Sequence, residues 1–180
     1  MLDLSHQQQL LRIARDSITL MFDRKRPELE LGLYDEPLRR PSGAFVTLEE
    51  HGELRGCIGS IQAVAPLVHA VSTSAINAAF RDPRFMPVGR EEMDAIQIEI
   101  SVMSPIETVR DVEEIVVGRD GLIITKGGRA GLLLPQVATE HGWDRDTFLH
   151  HTCLKAGLAP DSWRSSGCRI ERFSAQVFSE

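Results

Sequence analysis

The strictest pattern in the chain is the alternation of apolar and polar side chains at residues 96–103, where every even position is Ile or Val. A period of two predicts a strand with one buried face. Residues 44–48 and 54–58 are rich in strand formers around a turn at 50–53, so they predict a hairpin. Residues 115–117 and 122–125 predict a second hairpin, and 168–178 a terminal strand. Strands that arrive in hairpins favour an α+β fold with a mostly antiparallel sheet flanked by helices.

Helices are predicted between these strands from apolar residues at helical spacing. Ser5 and the residues after it have the form of a capping box, which predicts a first helix that ends at Pro27. Pro66 suits the first turn of another helix. Asp144 is the predicted cap of a later helix, which Gly157 stops.

The length of 180 residues fits one domain, residues 1–180, without any disulfide or metal to hold it together. The net charge of −6 makes a nucleic-acid partner unexpected, because such binders usually carry a basic surface. One basic run, residues 24–26, has two interpretations. It closes the first helix, where cations favour the negative end of the helix dipole, or it forms a phosphate-binding patch. The first interpretation is favoured.

Metal and membrane signals are missing from the sequence. Cys57, Cys153 and Cys168 show no zinc-site spacing, and the adjacent His150 and His151 point about 100° apart on a helix. We therefore expect no metal and no cofactor. We also expect no signal peptide and no membrane span, which together predict a cytoplasmic protein with reduced thiols.

The most function-like feature is the segment 54–60, in which Gly56 and Gly59 flank Cys57. Glycine weakens a strand, and it often marks a bulge or a place where something approaches the backbone closely. The amides there, with Arg55 beside them and Ser60 after them, are predicted to hold an anionic or carbonyl group.

The hexapeptide 54–59, LRGCIG, closely resembles the signature of the AMMECR-type domain family, whose bacterial and archaeal members are called AmmeMemoRadiSam system protein A. The resemblance covers roughly residues 10–180. Further matching blocks occur in order at residues 74–75, 82–85 with 87, 99–103, 118 with 121–122, 133–137, 142–143 and 155–157.

The resemblance implies an α+β fold of two unequal subdomains, with the hexapeptide near a cleft between them. It also implies two partner proteins: a Memo-type protein similar to class III extradiol dioxygenases, and a radical SAM protein. No established reaction or cofactor comes with it. Redox chemistry in such a system would lie with those partners.

Cys57 and Arg55 each have two interpretations. Cys57 is a nucleophile or redox thiol activated by a positive neighbour, or it is a small buried filler between two glycines, which is the more common outcome for a free cysteine. Arg55 binds an anion, or it pairs with Glu53 or Glu99.

Asp82, Arg84 and Glu99 are the remaining candidates. Asp82 and Arg84 flank a rigid proline after a helix, and a local ion pair with a structural role is favoured over ligand binding. Glu99 lies on the polar face of strand 96–103. That face is solvated, or it faces the hexapeptide, in which case Glu99 is the candidate acid or base.

These residues support two functional hypotheses. The first is an enzyme or enzyme component that acts on a small molecule or modified residue beside 54–60. In that hypothesis Cys57 and Glu99 are catalytic, while Arg55, Gly56, Gly59, Ser60, Asp82 and Arg84 bind. The alternative is a non-catalytic binding or adaptor module for the Memo-like and radical SAM partners.

Overall fold

The structure, a computed structural model, describes residues 2–180 and divides into two compact units of unequal size. The first unit runs up to Met103 and includes Gln176–Glu180, and the second is Ser104–Ala175. Both combine helices with antiparallel strands, which confirms the predicted α+β class. A single domain over 1–180 and a cleft between the units remain predictions.

The first unit packs two long helices on one face of an antiparallel sheet. Strand β1 lies between β2 and β3 and is antiparallel to both, so β2 is an edge strand. The elements are α1 (Leu4–Phe22), α2 (Glu36–Arg39), β1 (Ala44–Glu50), β2 (Glu53–Ser60), α3 (Leu67–Phe80) and β3 (Ile96–Met103).

The core of the first unit follows the predicted alternation. Ile98 and Ile100 of β3 are fully buried, as are Val46 and Leu48 of β1, while Gln97 is exposed. Helices α1 and α3 share this core. The buried face of the sheet is therefore fixed, and the other face carries the polar side chains.

The second unit is built on strand β5, which pairs with β6 and β7, while β7 also pairs with the short β4. Helix α5 supplies Phe148, Leu149 and Cys153 to its core. The elements are β4 (Glu107–Thr108), β5 (Asp120–Lys126), β6 (Arg129–Leu133), α4 (Pro135–Glu140), α5 (Arg145–Lys155) and β7 (Arg169–Ser179), of which the last residues belong to the first unit.

Two sequence predictions about local structure were wrong. Helix α1 is capped by Asp3, whose carboxylate accepts the His6 N–H at 2.9 Å, and it ends before Asp23. The second hairpin joins β5 to β6, and residues 115–117 form no strand. The Asp120 carboxylate accepts the Val116 N–H at 2.9 Å, which holds that stretch in a turn instead of a ladder.

Candidate functional site

The β1–β2 hairpin contains a bulge that decides which side chains share a face. Its turn residues His51 and Gly52 both have positive φ, 55° and 83°, as the tightest hairpin turns require. From that turn Leu54 pairs with Glu49, but the next pair is Gly56 with Leu48. Arg55 is the extra residue, and a bulge re-aims the side chain it carries.

Arg55 points to the segment that follows α3. Its Nε donates to Glu92 Oε1 at 2.7 Å, and its Nη1 donates to the Met86 carbonyl at 3.0 Å. The second carboxylate oxygen of Glu92 accepts from Nη2 at 3.1 Å, which makes the pair bidentate. The same contact lowers the pKa of Glu92. Arg55 thus pairs with Glu92 instead of Glu53 or Glu99, and the proposed anion would have to displace that carboxylate.

Cys57, Thr47 and Glu99 form one row across the three strands, and we call them the polar row. Thr47 pairs with Cys57 on one side and with Glu99 on the other. Residues directly opposite in a ladder project to the same face. That face is opposite to the buried Val46 and Leu48, because side chains alternate along a strand. Within the row, Thr47 Oγ1 donates to Cys57 Sγ at 3.3 Å.

Glu99 is half-buried at the far end of this row. Burial raises its pKa above the ordinary 4.5, and the nearby charge of Glu49 raises it further. Its carboxyl group therefore keeps its proton to higher pH, and its carboxylate is a stronger base than that of an exposed glutamate. Glu99 lies on the same face of the sheet as the hexapeptide cysteine, two strands away from it.

The backbone of Cys57 is held from outside the sheet by Asp82 and Arg84. The Cys57 N–H donates to Asp82 Oδ2 at 2.9 Å, and Arg84 Nη2 donates to the Cys57 carbonyl at 3.3 Å. Arg84 also binds both Asp82 oxygens, through Nε at 2.9 Å and Nη2 at 2.7 Å. We call this arrangement the Asp82–Arg84 clamp. It satisfies backbone groups that an edge strand would otherwise leave unpaired.

The clamp keeps Asp82 ionised. Its side chain is 1% exposed, just beneath the Arg84 guanidinium, whose side chain is 54% exposed. The hydrogen bonds from Arg84 hold the Asp82 pKa well below its usual range, and the Cys57 and Arg84 amides lower it further, against the effect of burial. This is the structural ion pair that the sequence favoured, and it acts on the candidate cysteine.

Gly56 and Gly59 are explained by close packing within the chain. A Cβ atom at Gly56 would lie 2.3 Å from the Ala78 carbonyl oxygen of α3, and one at Gly59 would lie 2.3 Å from the Ala44 carbonyl oxygen. Ser60 is exposed, and its Oγ accepts the Gln62 N–H at 3.0 Å. Ligand binding by these three residues remains a prediction.

The structure thus brings Asp82 and Arg84 to Cys57 at the edge of the first unit's sheet and turns Arg55 toward Glu92. Glu99 lies in the same row as Cys57 but two strands away. Sequence reasoning missed Thr47 and Glu92. A regular ladder from the hairpin turn would pair Thr47 with Gly56. Thr47 lies opposite Cys57 only because of the bulge, so the hairpin pattern identifies Thr47 only once the bulge is known.

Within residues 2–180, no cluster of three or more His, Cys, Asp or Glu side chains is arranged to hold a metal ion. None of the helices in that part of the chain is both long and apolar enough to cross a membrane.

Fold and site together define an α+β protein of two units, with a backbone-clamped cysteine on an edge strand and a polar row beside it. The sequence profile of the AMMECR1 family matches residues 11–178. The chain belongs to the AMMECR1 family, which confirms the resemblance seen in the hexapeptide.

Individual relatives show how similar the chain is to known sequences and to a solved structure. The chain is 47% identical over 180 residues to a protein of Methanothermobacter thermautotrophicus, covering 95% of this chain and 92% of the relative. It is 48% identical over 155 residues to a protein of Methanocaldococcus jannaschii, covering 82% and 77%. The crystal structure of an uncharacterised protein from Pyrococcus horikoshii superimposes with a TM-score of 0.79 at 42% identity, covering 95% of this chain and 89% of that one.

Proposed function

We propose that this AMMECR1 protein is an enzyme or enzyme component that acts on a small molecule or a modified residue at the polar row. The observation that carries the proposal is the alignment of Cys57, Thr47 and Glu99 in register on one face of the sheet. The two reactive groups in this row are the Cys57 thiol and the Glu99 carboxyl group, and the pKa of Glu99 is raised.

The spacing of the row indicates how a substrate would lie. Cys57 and Glu99 are separated by two strand spacings, about 10 Å between backbones. That distance is too long for direct proton transfer from the thiol to Glu99. A molecule several heavy atoms long, laid across Thr47, would place one group at Cys57 Sγ and another at the Glu99 carboxyl group. Cys57 is then the nucleophile or contacting thiol, and Glu99 exchanges a proton with the far end of the substrate.

Asp82 and Arg84 are positioning residues in this proposal. Their contacts fix the backbone of Cys57, so the sulfur is held in place before a substrate arrives.

The proposal extends to the cellular setting. The protein would work in the cytoplasm with a Memo-like dioxygenase-related protein and a radical SAM protein, and the cofactors of the system would belong to those partners. In the adaptor alternative, β2 and its clamp form a docking surface and Cys57 carries out no chemistry.

The proposal is tested by the alkylation rate of each cysteine in the native protein, resolved by mass spectrometry. Cys57 is half-buried and Cys153 is fully buried in the second unit, so iodoacetamide is expected to modify Cys57 at least about 100-fold faster. Thr47→Val removes the hydroxyl that donates to Sγ and should change the rate at Cys57, while the rates at Cys153 and Cys168 stay the same.

Protection of Cys57 until the protein unfolds would contradict the proposal and favour the adaptor alternative. Co-purification with either partner that is lost on Arg55→Ala would then be the next measurement. A Cys57→Ala variant with an unchanged melting temperature would show that any loss of activity comes from the thiol and not from the fold.

A further inference from the structure

An open cavity of about 320 Å³ lies in the first unit, on the helical side of the sheet. It is bounded by the end of α1, the segment 26–29 after it, and the outer face of α3. The α3 side chains in the wall recur at helical spacing: His69, Thr73, Ile76 and Asn77. The cavity is thus built by a whole helix face and a following segment, and not by one loop.

The charge of the wall is positive. Arg26 and Arg81 both line the cavity, and none of the ten lining residues is acidic. Among the ion pairs formed within residues 2–180, neither arginine takes part, and both are exposed. Asp23, the C-cap residue of α1, is bound to Arg90 at 2.6 Å. Glu28 and Glu30 follow Arg26 in the chain but lie outside the wall.

The position of Arg26 also bears on the basic run at 24–26. Helix α1 ends at Phe22 and has no basic residue in its last turn, so the run begins beyond the helix. Arg81 is the C-cap residue of α3, where part of its charge offsets the helix dipole. The favoured interpretation, a run that closes α1, holds for Arg24 and Lys25, whose N–H groups donate to the Met21 and Leu20 carbonyls at 3.0 Å. It does not account for the charge of Arg26, which lines the cavity.

Apolar side chains form part of the wall. Met21, Leu29 and Ile76 are half-buried around the cavity, and the side chains of Thr73 and Asn77 add hydrogen-bonding groups. Small-molecule sites combine an apolar lining with a few placed polar groups, and a volume near 300 Å³ is at the small end of their range.

We propose that this cavity binds a small amphipathic anion, with a carboxylate or phosphate group between Arg26 and Arg81 and a short apolar body against Met21, Leu29 and Ile76. Guanidinium groups bind both head groups through charge-assisted hydrogen bonds. The site is separate from the polar row, because Gly56 faces α3 whereas Cys57, the next residue, projects from the opposite face of the sheet. The site therefore binds either a second ligand or a regulator, independently of the Cys57 thiol.

Binding is measured by titrating the ¹⁵N-labelled full chain and following its backbone amide signals. Hexanoate and hexyl phosphate are the anionic probes, hexylammonium is the matched cation, and inorganic phosphate lacks the apolar body. We expect saturable shifts at His69, Thr73 and Asn77 with a hexyl anion, weaker shifts with inorganic phosphate and none with hexylammonium. If only one hexyl anion binds, that result identifies the head group.

Variants locate the binding. Arg26→Gln and Arg81→Gln should each weaken hexyl-anion binding about tenfold. Arg12→Gln is the matched control, because Arg12 is an exposed arginine of α1 that does not line the cavity. Equal binding of hexylammonium, wild-type affinity in both variants, or no shift at α3 with any anion would each overturn the proposal. The amide spectrum shows whether each variant is folded, and Cys57 alkylation is measured in parallel as a separate readout.

Discussion

The edge strands β2 and β6 use the same device in different units. Gly56 of β2 and Gly131 of β6 each lie against the backbone of a helix. A Cβ atom at Gly56 would be 2.3 Å from the Ala78 carbonyl oxygen in α3, and one at Gly131 would be 2.3 Å from the Ala156 nitrogen at the end of α5. Both glycines permit close contact between helix and strand, so the glycine of the hexapeptide is not by itself evidence of a ligand.

A buried aspartate bound by a nearby arginine also occurs in each unit. Arg119 binds both oxygens of the buried Asp120 at 2.7 Å, as Arg84 binds those of Asp82. The difference lies in what the carboxylate holds. Asp120 accepts the N–H of Val116, four residues away, and closes a local turn. Asp82 accepts the N–H of Cys57, 25 residues away, and fixes an edge strand.

The cysteine thiols of the two units also differ in burial. Cys153 is completely buried in the core of its unit, and burial raises its pKa, which makes it less reactive. Cys57 is half-buried, beside a hydroxyl donor and in one row with Glu99. The comparison shows that glycine packing and the Asp–Arg pair are structural, and that the polar row distinguishes the first unit.

The largest expected effect comes from filling the two glycine contacts. Gly56→Ala and Gly131→Ala each place a methyl group on helix backbone that cannot move away cheaply, so each should lower the free energy of unfolding by about 3 kcal/mol or more. Urea denaturation measures this loss. Gly32→Ala is the control, because nothing lies within 4 Å of its Cβ position. Wild-type stability in Gly56→Ala would show that α3 and β2 do not pack this closely.

A smaller effect is expected from Asp82→Asn and Asp120→Asn, about 2 kcal/mol each near neutral pH, because each leaves buried hydrogen bonds unmade. Only Asp82→Asn should change the alkylation rate of Cys57, since only Asp82 binds its backbone. Asp16→Asn, at an exposed position of α1, is the control.

The pH dependence of these two variants has a definite sign. The Asp82 pKa is lowered, first by the hydrogen bonds from Arg84. For Asp120, burial raises the pKa, but the bonds from Arg119 and from the Val116 amide outweigh burial and lower it. A lowered folded-state pKa gives stability that is present above the unfolded value, near 3.8, and is lost as the pH falls through the folded value. The difference between wild type and each variant should therefore be full at pH 7 and shrink below about pH 4. A constant difference would mean that the carboxylate charge is not responsible.

The sequence predicted the elements of the first unit better than the geometry of its site. Alternation at 96–103 settled which face of β3 is buried, because burial dictates that pattern directly. The polar row depends instead on the bulge at Arg55, which shifts the β1–β2 pairing by one residue and so moves Thr47 opposite Cys57. The spacing of residues in the sequence does not predict a bulge. It also does not predict that Asp82 binds Cys57, 25 residues away, or that Arg55 pairs with Glu92.

The smallest effect, from Glu99→Gln, is the sharpest test of the polar row, because it should improve stability while harming chemistry. The Glu99 pKa is raised by burial and by Glu49, so ionisation costs stability as the pH rises through the folded pKa. At pH 7 the variant should melt roughly 2 °C higher than wild type, and below about pH 4 the two should melt alike. Glu53→Gln, at an exposed position of β2, is the control and should leave the melting temperature unchanged at both pH values. A protein is expected to keep a destabilising carboxyl group in the same row as a clamped cysteine when that group is needed for proton transfer to a substrate. A Glu99→Gln variant that melts lower than wild type at pH 7 would instead make Glu99 a structural residue, and it would leave the polar row without an acid or base.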